Sequence, residues 1–398
     1  MELSNGQKIA LNKLLAWYQD PDKKMFVTLG GYAGTGKTTL IAIFRKEITK
    51  LNEASEKKGK KEKKKIKVGF CSYTGKAAQN LKFTIKESGA HVAKDTVSTI
   101  HGLIYNPIES ASGIITGWAK KEEIERDLII VDEASMVDGP IWNDLLSYNI
   151  PIIAVGDHGQ LPPISGNFNL MQKPEILLTE IHRQAKHNPI IMVSELARKT
   201  GIVPPKEYGD GVAKYLRSDP ETQERSRELL ESYNKDTMIL CGYNSIRTKI
   251  NQFIRASLGF ERPTPSTGDR VICLRNNHEK RIYNGMLGTI LSLEPDGKEF
   301  YHADIQMDGL KKPYSGLIYA AQFGAKTAIN FTKDRSKTGK ADLFDFGYAI
   351  TVHKAQGGQT RKVIMFEERF PKMDEDMWRR WLYTGITRAQ EELYLFGK

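Results

Sequence analysis

The stretch "GGYAGTGKTTL", residues 30–40, decides the fold, and it lies between an apolar run and a helix-like segment. Residues 25–30, "MFVTLG", read as a strand, and "TTLIAIFRKEITKL" from residue 38 reads as a helix. The stretch matches the pattern G-x-x-x-x-G-K-[ST]. In a strand–loop–helix setting, this pattern predicts a loop whose backbone N–H groups surround phosphates at a helix N-terminus. The alternative is a glycine-rich turn that serves packing alone.

The side chains of this loop predict distinct roles toward a nucleotide. Lys37 is expected to reach the β- and γ-phosphates, and Thr38 is expected to ligate Mg²⁺. The candidate nucleotide-binding residues of the loop are Gly31, Ala33, Gly34, Thr35, Gly36, Lys37, Thr38 and Thr39. The loop therefore predicts ATP and Mg²⁺ as the cofactors.

Two later strand-like runs end in residues that suit phosphate hydrolysis. "LIIVDEAS" ends in two acids: Asp132 is expected to hold the metal through water, and Glu133 to orient and deprotonate the attacking water. "AVGDHGQLPPIS" exposes Gln160, whose amide suits hydrogen bonds to a γ-phosphate and its water. The alternatives are a strand that ends in two solvated acids and a proline-bounded loop.

The surrounding sequence predicts an α/β fold. Strand-like runs such as "KVGFCSY" and "IIAVGD" alternate with amphipathic helical segments, which indicates a mostly parallel sheet covered by helices. A second set begins at "TMILCGY" and closes with "EELYLFG". Two α/β units are therefore expected.

Two insertions interrupt these units. Between residues 261 and 342, short β-prone pieces separated by Gly, Pro, Asn and Asp favour a small antiparallel barrel. Residues 104–121 read as a short hairpin. The predicted domains are 1–103 with 122–177 for the first unit, 104–121 for the hairpin, 178–260 with 343–398 for the second unit, and 261–342 for the barrel.

The composition favours a polyanionic partner. Lys and Arg number 59 against 48 Asp and Glu, and this gives a formal net charge of +11 over 398 residues. Part of the excess lies in "EKKGKKEKKKIK", residues 56–67, which is either a solubilising insertion or a supplementary DNA-binding arm. Three scattered cysteines, Cys71, Cys241 and Cys273, lack metal-ligand spacing and are expected to be buried reduced thiols.

The sequence shows neither an apolar run long enough for a membrane span nor a secretion signal at "MELSNGQKIA". A cytoplasmic location is therefore expected, which is the host cytosol if a phage encodes the chain.

Nine segments, in family order, resemble the motifs of superfamily 1B DNA helicases, in the branch that contains the RecD-like enzymes and the Dda helicase of T-even phages. They are "LSNGQKIA", "GGYAGTGKTT", "SYTGKAAQNL", "STIHGLI", "IIVDEASM", "VGDHGQLPP", "LTEIHRQ", "YAITVHKAQGGQT" and "LYTGITRAQ". The resemblance covers nearly the whole chain. It implies two RecA-like P-loop domains, with the hairpin as a pin in the first and the barrel as an SH3-like module in the second.

The resemblance also implies residues around the nucleotide. Gln7 matches a glutamine that reads adenine, and Arg183 and Arg388 match arginines of the second domain that complete the ATP site. Many relatives have an aromatic residue that stacks on the base where this chain has His182, and many have Ser where it has Ala355.

For nucleic acid, the resemblance implies a single-strand groove and a wedge at the fork. The implied contacts are Thr74, Lys76, His101, Thr351, His353 and Lys354, with Tyr105 and Trp118 on the pin. The two histidines are alternatively hydrogen-bonded core residues, and the two pin aromatics alternatively attach the hairpin to its domain.

The function implied is an ATP-dependent DNA helicase that moves on single-stranded DNA with 5′-to-3′ polarity. The expected partners are single-stranded DNA, DNA forks, and single-strand-binding or replisome proteins. The layout of the chain suits a monomer. The alternatives are a DNA-stimulated translocase that displaces proteins without unwinding, and a nucleotide-gated DNA-binding regulator.

Overall fold

The computed structural model describes residues 3–56, 65–109, 115–163, 168–180, 188–277, 279–325 and 339–398. The chain divides into two compact units, Met1–Ile108 with Trp118–His187, and Glu109–Gly117 with Asn188–Lys398. Up to residue 180 the helices are α1 Asn5–Gln19, α2 Lys37–Glu56, α3 Gly75–Glu87, α4 Ile100–Ile104 and α5 Gly139–Leu146. The strands there are β1 Phe26–Gly31, β2 Val68–Ser72, β3 Thr96–Thr99, β4 Tyr105–Glu109, β5 Ile115–Lys120, β6 Leu128–Asp132, β7 Ile152–Gly156 and β8 Ile176–Leu178.

From residue 188 onward the helices are α6 Pro189–Thr200, α7 Pro220–Glu231, α8 Asn244–Ser257 and α9 Glu375–Ile386. The strands are β9 Lys206–Gly209, β10 Val212–Leu216, β11 Thr237–Cys241, β12 Arg270–Cys273, β13 Leu287–Asp296, β14 Phe300–Met307, β15 Tyr314–Tyr319, β16 Phe344–Phe346, β17 Ala349–Thr351, β18 Thr360–Phe366 and β19 Ala389–Gly397.

The first unit is built on a six-stranded parallel sheet with the order β3-β2-β6-β7-β1-β8. Successive residues of its strands point to opposite helix layers. Ile129 and Val131 pack with α4 and α5, whereas Ile130 packs with α1, α2 and α3. Because both faces of the sheet are covered, its strands read in the sequence as continuous apolar runs.

A buried ion pair fixes α2, the helix that follows the glycine-rich loop. Arg45 Nε donates to Asp95 Oδ2 at 2.8 Å, and both side chains are almost fully buried. Asp95 Oδ1 also accepts from the backbone N–H of Val68, the first residue of β2. The helix is therefore tied to the sheet edge, as well as packed on it through Leu40, Phe44 and Ile48.

The second unit contains a six-stranded sheet with the order β17-β11-β18-β19-β10-β9. Five of its strands are parallel, and β9 pairs antiparallel with β10 at one edge. The prediction of mostly parallel sheets covered by helices is confirmed for both units.

A five-stranded antiparallel sheet interrupts the second unit, with the order β15-β14-β13-β12-β16. Its last strand, Phe344–Phe346, lies beyond the predicted end of the insertion at residue 342, so these residues belong to the inserted sheet and not to the parallel sheet. The chain instead pairs Phe346 with Val271 and then turns at Gly347 to enter β17. A Cβ at Gly347 would lie 2.7 Å from the Val271 backbone, so this change of direction requires glycine.

The boundary between the units also differs from the prediction. The division falls between residues 187 and 188 rather than 177 and 178. Leu178, which the prediction assigns to the second unit, belongs to β8 of the first, where it pairs with Gly31 of β1. In contrast, strands β4 and β5 pair with each other where the hairpin is predicted.

The remaining sequence predictions concern cysteines, the lysine-rich segment and membranes. All three cysteines are buried and unpaired with one another, as expected. Residues 57–64 of the lysine-rich segment lie outside the described residues. Within the described ranges, every helix is too short or too polar to cross a bilayer.

Candidate functional site

The glycine-rich loop, the acidic pair and the glutamine loop follow neighbouring strands of the first unit. They leave the sheet at the carboxyl ends of β1, β6 and β7, and β7 lies between the other two strands. Carboxyl ends of parallel strands form one edge, where loops meet and ligands bind in open α/β sheets. The predicted phosphate chemistry is thus brought to one place.

The glycine-rich loop has the backbone of a phosphate-binding turn. Gly34 and Gly36 have φ angles of 80° and 75°, a left-handed region that side chains with a Cβ avoid. Thr35 stabilises the turn, since its backbone N–H and Oγ1 both donate to the Tyr32 carbonyl, at 3.3 and 2.8 Å. Helix α2 begins directly afterwards at Lys37, so its N-terminal N–H groups face the loop.

Lys37 closes the loop on itself. Its Nζ donates to the carbonyl oxygens of Gly31 and Tyr32, at 2.7 and 3.0 Å. The ammonium group therefore lies inside the turn, where the motif predicts that it meets phosphate oxygens.

Gln7 contacts the same loop, in a way that differs from its predicted role. Its Nε2 donates to the Thr35 carbonyl at 3.1 Å, and its Oε1 accepts from the backbone N–H of Ser4. The side chain is only 3% exposed. Both ends of the amide are therefore bonded within the protein, and Gln7 positions the loop from the start of α1. Its contact with adenine stays a prediction.

The acidic pair lies beside the loop. Thr38 Oγ1 donates to Asp132 Oδ2 at 3.5 Å, and the backbone N–H of Glu133 donates to Asp132 Oδ1 at 2.9 Å. Burial first, and the nearby Glu133 carboxylate second, raise the pKa of Asp132 to about 6, although the Glu133 backbone N–H and Lys37 act in the opposite direction. Glu133 has φ 54° and ψ 39°, a strained conformation for a residue with a Cβ.

The glutamine loop is organised by an acid, Asp157, for which the sequence predicts no role. Asp157 is 1% exposed, accepts from the Gly159 backbone N–H at 2.9 Å and lies 3.5 Å from Gln160 Nε2. His158, the next residue, contacts the ring of Tyr32 with centroids 4.1 Å apart. These contacts join the glutamine loop to the glycine-rich loop. The signal in the sequence is the "GD" at residues 156–157, because Asp157 directly follows β7 much as Asp132 ends β6.

The oxygen atoms at this edge fit Mg²⁺. A threonine hydroxyl next to a carboxylate offers the hard oxygen ligands that this ion prefers, with room for water and phosphate oxygens in the other positions. The described residues contain no group of three or more His, Cys, Asp or Glu side chains placed to hold a metal by themselves. The threonine and carboxylate oxygens therefore suit an Mg²⁺ ion that also takes phosphate oxygens as ligands.

In the second unit, Arg388 is held by its own surroundings. Its Nε, Nη1 and Nη2 atoms donate to Thr384 O, Gly358 O and Thr387 Oγ1, at 2.9, 3.0 and 3.1 Å, and the residue is 3% exposed. The guanidinium group thus joins the end of α9 to the loop before β18, and its role toward ATP stays a prediction. His182 and Arg183 lie outside the described residues.

The predicted nucleic-acid contacts of the first unit lie after β2 and β3. Thr74 caps α3, and its Oγ1 accepts from the Ala77 backbone N–H at 3.2 Å; Lys76, two residues later, is half-buried. Burial lowers the pKa of His101, so the neutral imidazole is favoured. Thr74 and His101 each lie after a strand of the sheet and at the start of a helix, a position suited to phosphate contacts.

The pin aromatics are engaged within the protein. The His101 ring lies 5.3 Å from the Tyr105 ring and 6.3 Å from the Trp118 ring. The Tyr105 hydroxyl also donates to Asp144 of α5. These contacts attach the base of the hairpin to its unit, which is the second of the two predicted roles; stacking at a fork stays a prediction.

The predicted contacts of the second unit follow β17. Burial lowers the pKa of His353, and the Lys354 Nζ donates to Asn284 Oδ1 at 3.1 Å. Asn284 lies between β12 and β13, so this bond joins the end of the parallel sheet to the inserted sheet. Thr351 and Lys354 also line a cleft together with Asn244 and Arg247 of α8.

Comparisons with known proteins agree with this arrangement. Residues 2–204 match the AAA domain, and residues 346–396 match the UvrD-like helicase C-terminal domain. The ATP-dependent RecD2 DNA helicase of Deinococcus radiodurans is 28% identical over 400 residues, which cover 93% of this chain and 47% of that protein. This chain thus spans less than half of that relative's length. The ATP-dependent DNA helicase Pif1 of Campylobacter jejuni is 23% identical, over 66% of this chain and 67% of its own length.

Solved structures show the same fold. The crystal structure of a Bacteroides Pif1 helicase in complex with ADP-AlF3 and ssDNA matches with a TM-score of 0.57 and 18% identity, over 99% of this chain and 92% of that one. A Bacteroides Pif1 bound to ssDNA matches with a TM-score of 0.56, the same identity and the same coverage of both chains.

Proposed function

The chain belongs to the superfamily 1B helicases, and from this premise we propose that it is an ATP- and Mg²⁺-dependent DNA helicase that translocates 5′-to-3′ on single-stranded DNA. The observation that carries the proposal is that three chemically distinct loops share one sheet edge: Thr38 contacts Asp132, and Tyr32 contacts His158 beside Gln160. Packing alone does not require acid, amide and lysine to converge there.

Each residue at this edge has a role in hydrolysis. Lys37 and the N-terminal N–H groups of α2 bind phosphate charge, because they are donors fixed at a helix N-terminus. Thr38 and Asp132 would hold Mg²⁺, and the bound ion would neutralise charge on the phosphates. Glu133 accepts the proton of the attacking water, and Gln160, oriented by Asp157, hydrogen-bonds that water.

Arginines of the second unit complete the proposed reaction. Arg388 and Arg183 stabilise the charge that develops on the transferring phosphoryl group, an effect typically worth about 10³ to 10⁵ in rate. Because Arg388 is bonded to Gly358 and Thr384, its placement responds to the loop that follows β17. Hydrolysis is in this way linked to the part of the chain that carries the proposed DNA contacts.

Movement on DNA requires two grips whose affinity changes with the nucleotide. The residues after β2 and β3 form one proposed grip, and those after β17 form the other. Net movement needs the two states to bind DNA differently, since equally tight binding in both shifts nothing. The Bacteroides Pif1 structures with ssDNA support single-stranded DNA as the ligand.

The test is phosphate release with and without a single-stranded oligonucleotide, for the wild type and Glu133→Gln. We expect strong stimulation by the oligonucleotide in the wild type and its loss in Glu133→Gln, which retains nucleotide binding. Strand displacement from duplexes with a 5′ or a 3′ overhang then tests polarity, and only the 5′ overhang is expected to support unwinding. Turnover that DNA leaves unchanged would contradict the proposal and favour a nucleotide-gated regulator.

A further inference from the structure

The two units end corresponding strands in the same short pattern. The sheet orders β3-β2-β6-β7-β1-β8 and β17-β11-β18-β19-β10-β9 place β2 and β11 in the same position, second from one edge. The strands end in the segments "CSYT", 71–74, and "CGYN", 241–244, and a helix begins at Gly75 in the first and at Asn244 in the second. In the first unit this is the segment of the proposed DNA contacts Thr74 and Lys76.

The two tyrosines of this pattern are used differently. Tyr73 packs against the apolar cluster beneath the sheet of the first unit. Tyr243 is 36% exposed, and its ring meets that of Phe370 edge-to-face, with centroids 4.6 Å apart and an interplanar angle of 78°. An aromatic ring that is braced on one side and open on the other is suited to stacking.

The backbone under Tyr243 is fixed by a buried acid. Glu368 Oε2 accepts from the backbone N–H groups of Gly242 and Tyr243, at 2.7 and 3.0 Å, and Glu368 is 8% exposed. These bonds satisfy backbone donors at the start of α8, where Tyr243 provides no side-chain cap. The exposed ring is therefore held on a rigid support rather than on a mobile loop.

The next residue, Asn244, lines a cleft that Thr351 and Lys354 also line. An amide, a hydroxyl and an ammonium group are donors suited to phosphate oxygens. The braced ring and these three donors are thus adjacent, in the alternation of stacking surface and phosphate donors that single-strand binding uses.

We propose that Tyr243, braced by Phe370, is a base-stacking platform for single-stranded DNA whose backbone runs in the neighbouring cleft. The inference rests on the proposed function and adds a binding residue to it. Because every base presents a flat π-face, this contact is independent of sequence. It gives the second unit an aromatic grip that its counterpart Tyr73 does not provide in the first.

The test compares Tyr243→Ala, Tyr243→Phe and Tyr208→Ala, a control on β9 at the opposite edge of the same sheet. The dissociation constant of a fluorescein-labelled oligothymidylate is measured by anisotropy, and thermal melting and fluorescent-nucleotide binding confirm folding. We expect Tyr243→Ala to weaken binding by about 5- to 100-fold, and the other two variants to bind as the wild type does.

A second series moves one abasic residue along the oligonucleotide, which removes a base and keeps its phosphates. At one position the wild type is expected to lose affinity, and Tyr243→Ala to lose none, because the partner ring is already absent. Equal losses in both proteins, or wild-type affinity in Tyr243→Ala, would overturn the inference. If instead the wild type does not bind the oligothymidylate, the proposed function fails before this inference is reached.

Discussion

Each unit ends the same strand of its sheet in two carboxylates, Asp132–Glu133 at β6 and Glu367–Glu368 after β18. In the first unit, Asp132 contacts Thr38 at the end of the glycine-rich loop. In the second, Glu367 accepts from Lys214 at 2.5 Å, and Glu368 accepts from two backbone N–H groups. The pattern of an apolar strand that ends in two acids is therefore not sufficient to predict the chemical role of those acids.

The difference lies in what the first parallel strand of each sheet leads to. Strand β1 leads to a glycine-rich turn that leaves backbone donors available for phosphate. Strand β10 carries Lys214 itself and leads to "RSDP", in which Asp219 caps α7. The architecture sets where the loops meet, and loop composition sets whether that meeting point is a catalytic site or an internal ion pair.

The largest effects are expected when the lysine near each acidic pair is replaced, Lys37 in the first unit and Lys214 in the second. Lys37→Met is expected to lower DNA-stimulated turnover by at least about 10³-fold, because its cation neutralises phosphate charge in the reaction. Phosphate release measures the loss, and oligothymidylate binding is expected to persist. Turnover within tenfold of the wild type would place the chemistry elsewhere.

In the second unit, Lys214→Met is expected to act on stability. Glu367 then stays buried without its cation, which costs about 3 kcal/mol of the free energy of unfolding. Urea denaturation measures the loss, while turnover of the folded fraction is retained. The double variant Lys214→Met/Glu367→Leu is the matched control: an apolar pair is expected to recover most of the stability, and no recovery would mean that the lysine acts by other contacts.

A smaller effect tests the acid that orients Gln160. Asp157→Asn keeps the oxygen that accepts from Gly159 and loses the carboxylate toward Gln160, so kcat is expected to fall by about tenfold, roughly 1.4 kcal/mol. The KM for ATP is expected to stay near the wild-type value. Gln160→Ala combined with Asp157→Asn should be no slower than Gln160→Ala alone. Additive losses would show that Asp157 acts independently of the glutamine.

Much of the proposed catalytic edge could be predicted from the sequence because its signals are local. The spacing of Gly31, Gly36, Lys37 and Thr38 and the strand that ends in Asp132 are each contained in a few residues. The contacts of Gln7 with Thr35 and of Arg388 with Gly358 could not be, since each joins segments 28 or 30 residues apart through the fold.

The misplaced strand has a similar cause. Apart from Asp345 and Gly347, residues 343–350 are apolar or aromatic, so their pattern does not show where one sheet stops and the next begins. The change of sheet depends on the antiparallel register of β16 with Val271–Cys273 and on Gly347, which is a tertiary constraint. Likewise, the sequence "FEE" does not reveal that Glu367 pairs with Lys214 and that Glu368 accepts from backbone N–H groups within the same unit.

The smallest expected effect compares backbone strain at the two acidic pairs. Among the described residues with a Cβ, Glu133 is one of three with positive φ, and Glu368 is not. Glu133→Gly is therefore expected to be more stable than Glu133→Ala by about 0.5–1 kcal/mol, because glycine relieves the left-handed strain at some cost in unfolded-state entropy. Glu368→Gly should instead be less stable than Glu368→Ala.

Both comparisons use urea denaturation, and all four variants lack the carboxylate, so the opposite signs isolate the backbone. The same sign at both sites would mean that the strain at Glu133 contributes nothing measurable, and that its conformation is held without cost by the loop around it.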